Sequence, residues 1–353
     1  MNKELIINSS PDGVEIALLE EKKLVEIHNE KIDARFAVGD LYLGKVKKII
    51  PGLNAAFVDV GFDKDAFLHY TDLSPYIKSI IKFTHDAMNT TFSLRLRGIE
   101  ETTARGMARE CFDQIDALEA RLSRFMEGSD VWRINRMQSG ETLFLNEATH
   151  QCLLLALDAH AQTGGLFDIT LGTAIEHRKS STSEIPPPLT GTLSIHPDAP
   201  AITCIETGRE IDLGGIGKGF ALDQLRTLLE DWGVQDALLS AGASTILAIG
   251  PNAWPIDIHG TADTLRIEIR DQAISASGIT IQGDHIIHPH GTDAMPTQRC
   301  SRIWVSAANA TSAEVWSTAL MLVEPDALAS FIESKNEIQS LIIDRSGRVE
   351  KIR

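Results

Sequence analysis

Residues 210–225 read EIDLGGIGKGFALDQL: a short apolar run, four glycines (Gly214, Gly215, Gly217 and Gly219) and then an amphipathic run. This order predicts a strand that turns sharply into a helix, because glycine adopts backbone conformations closed to other residues and punctuates regular elements. Two uses of such a turn stay open. Its N–H groups can approach an anion without side-chain obstruction, with the positive helix N-terminus and the charge of Lys218 behind them. Alternatively, the glycines merely let the helix pack closely on a strand. Neither generic phosphate-binding pattern applies. Gly215-x-Gly217-x-Gly219 has the wrong spacing for a dinucleotide fingerprint, and Lys218 is followed by Gly219 rather than Ser or Thr.

The length of 353 residues predicts about two domains, and a hydrophobic share of 43% suffices for packed cores. No apolar run approaches the roughly 18 residues of a membrane-spanning helix, and the opening MNKELIINSSPDGVEI lacks a basic segment followed by an apolar one. A soluble, cytoplasmic protein without membrane contact is expected. Cys111, Cys152, Cys204 and Cys300 are scattered without CxxC spacing, which points to reduced, buried thiols rather than a zinc site or a disulfide framework. The formal charge of −16 is uneven: residues 1–83 carry 11 basic and 13 acidic side chains, leaving 22 and 36 for the remainder. So acidic a body repels nucleic acid, and any RNA contact is expected in the first segment.

Residues 39–73, GDLYLGKVKKIIPGLNAAFVDVGFDKDAFLHYTDL, alternate short β-rich runs with turns at Pro51-Gly52 and Gly61, as in a small barrel. From about Thr84 the texture changes. TTARGMARECFDQIDALEARLSRF (102–125) repeats apolar residues at three and four spacing and predicts a long helix. NEATHQCLLLALDAHAQTG (146–164) predicts a second, with Asn146 as N-cap and Gly164 at its end. The Ser/Pro-rich SSTSEIPPPLTGTLS (180–194) suits no regular element. Strand-like runs follow (DALLSAGASTILAIG, LRIEIR, QAISASG, DHIIHP, RIWVSA), then a helix over SAEVWSTALMLV and a closing helix–strand pair.

Three further stretches carry candidate chemistry. GGLFDITLG (164–172) places Asp168 and Thr170 after a Gly-Gly corner, and SASG (275–278) precedes DHIIHPHGTDAMP (284–296). SAEVWSTAL (312–320) puts Glu314 and Thr318 on one helical face. Each also has a plain structural use: Asp168 as a cap, the histidines as solvated loop residues, Glu314 and Thr318 as an exposed i,i+4 pair.

The order of DAMNTTFSLRL, LSRFMEGSDVWRIN, GGLFDITLG, IDLGGIGKGFALD, SAGASTILAIG, SASG, HIIHP and AEVWSTAL resembles the motif order of the ApbE family, the FAD:protein FMN transferases, over residues 85–350. The resemblance implies an α+β transferase domain over residues 84–353. Its activity would be Mg²⁺-dependent transfer of FMN from FAD to a Thr or Ser hydroxyl of an acceptor protein bearing a Ser/Thr-Gly-Ala-Ser/Thr-type motif, releasing AMP. Glu314 and Thr318 then supply oxygens to Mg²⁺, with a backbone carbonyl near Gly217. Asp212, Gly214, Gly215, Lys218 and Asp223 belong to the flavin and pyrophosphate side. Met88, Asp168 and Thr170 belong to the nucleotide side, and Gly242, Ser277 and Gly278 complete the FAD-binding set. His285 and Asp212 are the implied catalytic pair. Glu314 stands where the family usually has Asp, and His288 stands where the family's H-I-x-D-P-x-T-G has Asp. An FAD-binding protein or FAD pyrophosphatase without protein transfer is one alternative, and an RNA-binding protein acting through the first segment is another.

Residues 1–83 resemble the start of the ribonuclease E/G family, an S1 domain of the OB type that stops before its last strands. The resemblance implies a β-rich partial barrel and RNA binding over residues 38–73, where Phe57, Phe67 and His69 would stack bases beside Lys45, Lys47 and Lys48. The alternative places both phenylalanines in a core.

Overall fold

The computed structural model describes residues 3–10, 13–20, 22–31, 44–50, 55–61, 64–69, 80–180, 189–279, 286–291, 295–297, 300–345 and 347–353. The chain divides into two compact units, Met1–Lys78 and Ser79–Arg353.

The first unit contains two three-stranded antiparallel sheets: Lys3–Ser10, Gly13–Glu20 and Lys23–Lys31 in one, and Lys45–Ile50, Ala55–Asp59 and Ala66–His69 in the other. Ala55 and Val58 are buried in the second sheet, whereas Val46, Ile49 and Phe67 are exposed. Phe67 is therefore not a core residue; it is 53% exposed and meets Phe57 edge-on at 5.6 Å between ring centroids. Lys47 pairs with Asp59 at 3.2 Å and Asp65 at 2.8 Å, while Lys45 and Lys48 are exposed. The Pro51-Gly52 turn lies outside the described residues.

The second unit is built on an eight-stranded, wholly antiparallel sheet. Its order is Arg348–Lys351, Ser340–Arg345, Arg302–Ala307, Ala273–Gly278, Thr245–Ile249, Ala237–Ala241, Thr90–Arg97 and Ile80–Ala87. Alternation along the strands serves two layers, because successive side chains point to opposite faces. Ala237, Leu239 and Ala241 join the main core with the helices, while Leu238 packs with Trp254, Ile256 and Trp304 under the Trp254–His259/Thr264–Ile269 hairpin.

The helix layer follows the apolar spacing in the sequence. Glu101–Leu122 buries Ala104, Ala108, Cys111, Ile115, Leu118 and Leu122, a repeat of three and four that makes one stripe. Asn146 caps Glu147–Gln162 by accepting the N–H of Ala148, as its position predicts. Gly217–Asp231 and Ala310–Leu320 lie against each other and complete the layer beside the sheet.

Three local expectations fail. The apolar run before the glycine-rich turn is no strand: residues 211–213 are irregular and Glu210 makes a single bridge to Leu171, so the Gly217–Asp231 helix is entered from a loop. The end of SSTSEIPPPLTGTLS is a strand, Thr192–Ile195, held by antiparallel pairing with Ala201–Glu206, so tertiary pairing overrides the turn-rich composition. Within DHIIHP, residues 286–289 form no strand, consistent with Pro289 withholding a donor.

Candidate active site

A cavity of about 450 Å³ gathers segments far apart in sequence: Met88–Thr90, residues 166–169, the glycine-rich turn, Ala243-Ser244, Ser277-Gly278, Ile286-Ile287, Arg302, and Glu314 with Thr318. Turns, loops and strand ends deliver most of them, and the interior of the Ala310–Leu320 helix delivers Glu314 and Thr318. Met88 and Asn89 form the two-residue link between Ile80–Ala87 and Thr90–Arg97, with φ of 49° and 55°. Positive φ at both positions is what a tight hairpin matching strand twist requires, and it is costly for Met88. Gly242, at φ 60°, makes the facing turn, and any Cβ there would strike the Thr90 hydroxyl.

The glycine-rich turn is braced from below. Asp212 accepts the N–H of Gly214 at 2.8 Å through Oδ1, and its Oδ2 pairs with Arg124 Nη1 at 3.0 Å. Arg124 also donates to the Gly172 carbonyl at 3.0 Å and pairs with Glu210 at 2.8 Å, so one guanidinium fork ties three segments together. Asp168 accepts from the Thr170 N–H and hydroxyl at 2.7 and 2.6 Å, and Arg209 Nη1 bridges the pair at 3.4 and 2.6 Å.

Glu314 closes the floor. It is 4% exposed, accepts the Gly219 N–H at 2.5 Å through Oε2 and pairs with Lys218 Nζ at 2.6 Å through Oε1. Lys218 donates as well to the Gly214 carbonyl at 3.1 Å. Thr318 Oγ1 donates to the Glu314 carbonyl at 3.0 Å and lies 3.2 Å from Ser277 Oγ. Among the described residues, no group of three or more His, Cys, Asp or Glu could hold a metal. A divalent ion here would rest on one carboxylate plus hydroxyl and carbonyl oxygens. That hard-oxygen set suits Mg²⁺, which keeps several waters and takes phosphate oxygens.

Met88, Asp168, Asp212, Gly214, Gly215, Lys218, Ser277, Gly278, Glu314 and Thr318 thus converge on one cavity. Thr170, Gly217, Asp223 and Gly242 do not line it. Asp223 holds the start of Ala310–Leu320, accepting the N–H groups of Ala310 and Thr311 at 2.8 Å each; burial raises its pKa despite these bonds. His285 lies outside the described residues. Sequence patterns missed Arg124, Arg209 and Arg302, which sit outside the glycine-rich and i,i+4 signals. His288 Nδ1 accepts the N–H of His290 at 3.1 Å, the i to i+2 bond an Asp would make in an Asx turn. Burial, then the charge of His290, lowers the His288 pKa.

Residues 88–342 match the model of the ApbE family. The chain belongs to this family. The FAD:protein FMN transferase of Klebsiella pneumoniae (strain 342) is 25% identical over 279 residues, covering 68% of this chain and 77% of that protein. The Vibrio cholerae flavin transferase ApbE superposes with a TM-score of 0.67 at 20% identity, covering 78% of this chain and 96% of the other. The apo Pseudomonas stutzeri flavinyl transferase ApbE gives 0.66 at 21% identity, over 78% and 95%. At such identities the structures establish a shared ApbE fold. Ribonuclease G of Escherichia coli (strain K12) is 41% identical over 80 residues, and the chain spans only 16% of its length. No helix among the described residues is long and apolar enough to cross a membrane.

Proposed function

We propose that the second unit, Ser79–Arg353, transfers FMN from FAD to a Ser or Thr hydroxyl of an acceptor protein carrying a Ser/Thr-Gly-Ala-Ser/Thr-type motif, with Mg²⁺ and release of AMP. The observation that carries this reading is the convergence of the glycine-rich turn, Lys218, Glu314, Thr318 and Asp168 on one cavity in an ApbE-family chain. In the reaction the acceptor oxygen bonds to the FMN-side phosphorus while the bridging P–O bond breaks. AMP takes the electron pair, and the hydroxyl proton passes to a base, for which His285 and Asp212 are the candidates.

The chain's own residues supply position and charge. Gly214 and Gly215 let the pyrophosphate approach the turn, the N-terminus of Gly217–Asp231 favours its negative charge, and Arg124 fixes Asp212 beneath it. Glu314, Thr318 and a carbonyl of the turn would hold Mg²⁺. When bound, the ion neutralises charge on the pyrophosphate.

The test incubates the protein with FAD, with and without Mg²⁺ and an acceptor peptide, and quantifies AMP, FMN and peptide-bound flavin. Covalent flavin on the peptide with Mg²⁺-dependent AMP supports the transferase, and Glu314→Ala abolishes that turnover. Free FMN and AMP with unlabelled peptide assign FAD hydrolysis instead.

A second reading concerns the first unit, where exposed Phe67 shares a three-stranded sheet with exposed Lys45 and Lys48, an aromatic and basic combination suited to single-stranded RNA. Salt-sensitive RNA binding by the full chain that falls on Phe67→Ala supports it; binding indifferent to that change refutes it.

A further inference from the structure

Among the described residues lining the cavity, Lys218 and Glu314 form the shortest ion pair, at 2.6 Å. Glu314 Oε2 is committed to the Gly219 N–H at 2.5 Å, so Oε1 is the oxygen that can serve a cation. Lys218 Nζ takes it at 2.6 Å and completes its seat on the Gly214 carbonyl at 3.1 Å. The side chains are 21% and 5% exposed, so water screens the pair little. The ammonium therefore rests on the kind of oxygens a divalent ion would need, one carboxylate and one turn carbonyl. An ammonium and a divalent ion cannot share one carboxylate oxygen at full strength, since the two cations repel at contact distance.

We propose that Lys218 is the resident counter-cation of Glu314: a divalent ion displaces it, and the released ammonium turns to the anionic phosphate of the substrate. This rests on the reading of Glu314 as the metal carboxylate. Lys218 is on this account a positioning residue whose two partners, Glu314 without ligand and phosphate with it, couple metal loading to substrate arrival. The pair also gives a buried carboxylate its compensating charge before any ligand binds, which a lone Glu314 would lack.

The experiment titrates the full-length protein without nucleotide with Mn²⁺ at pH 8, following free Mn²⁺ by electron paramagnetic resonance. Lys218→Met and Lys218→Gln should each bind Mn²⁺ about tenfold more tightly than the wild type, the scale of one modest ion pair removed from competition. Glu314→Gln in the Lys218→Met background should cancel the gain. A second measurement needs no variant: pulse labelling with an amine-reactive ester, read by peptide mass spectrometry, should modify Lys218 faster at saturating Mn²⁺. Equal Mn²⁺ affinity in wild type and both Lys218 variants, with binding still lost in Glu314→Gln, overturns the proposal and leaves the metal site standing. Absence of Mn²⁺ binding in all of them overturns both.

Discussion

Gly219 stands directly against the backbone of Ala310: a Cβ at this position would lie 2.7 Å from the Ala310 carbonyl carbon and 2.9 Å from Thr311 Cα. These are backbone atoms of the neighbouring helix, so no rotamer change relieves the clash. The same glycine gives its N–H to Glu314, which couples helix packing to the cavity floor. Gly219→Ala should therefore cost about 1–3 kcal/mol, the range for overpacking, and weaken FAD binding together with stability. Chemical denaturation and flavin fluorescence titration check both; an unchanged unfolding midpoint would show that the two helices slide apart freely.

Arg124 spans the segments beneath the glycine-rich turn through Asp212, Glu210 and the Gly172 carbonyl. Removing it leaves Asp212, with a side chain only 15% exposed, as a carboxylate without its cation. Arg124→Met should destabilise the unit by about 3 kcal/mol, the low end for breaking a buried pair because Glu210 is partly solvated. Arg124→Lys should recover only part of the loss, since an ammonium cannot reproduce the guanidinium fork. Thermal melts of both variants decide it, and equal stability of Arg124→Met and wild type refutes the bracing role.

Much of this site was legible in the chain because local chemistry announces itself. Glycines mark turns, apolar spacing marks the Glu101–Leu122 stripe, and Asn146 marks a helix start. The close-packing reading of the glycine-rich turn holds with a different partner, since Gly219 meets the Ala310–Leu320 helix rather than a strand, while Gly214 and Gly215 line the cavity. The arginines were illegible. Arg124 meets Asp212 across 88 residues, and Arg209 meets Asp168 across 41, distances at which sequence spacing carries no signal. The i,i+4 spacing suggests for Glu314 an exposed pair with Thr318, but its burial and its contact with Lys218 exist only once two helices meet.

His288 accepts the His290 N–H through Nδ1, which requires that nitrogen to be unprotonated, and burial lowers its pKa below the usual histidine value. A histidine with a depressed folded-state pKa contributes stability that is full above about 6.5 and lost as pH falls through the folded value. Asn in its place offers a side-chain oxygen for the same i to i+2 bond and does not titrate. The melting temperature of His288→Asn should fall less than that of the wild type between pH 8 and pH 5.5. Parallel pH profiles would remove His288 as the titrating group.

Cys111, Cys152, Cys204 and Cys300 are all buried and free. Burial pushes the thiols of Cys111 and Cys152 up to about 12 and that of Cys300 up to about 11, and raises Cys204 as well. The thiolate is the reactive form, so at pH 8 a thiol of pKa 12 is ionised in only about one part in ten thousand, before any steric protection is counted. The native protein should therefore react with Ellman's reagent over hours, and all four thiols promptly in guanidinium. Native labelling then proceeds through opening of the fold and reports the local stability of each segment. Because Cys111 and Cys152 lie in the main core with Phe220 and Ala313, substitutions that loosen the helix contact at Gly219 should accelerate their labelling. Prompt reaction of any thiol in the folded protein would contradict the burial that sets these pKa values.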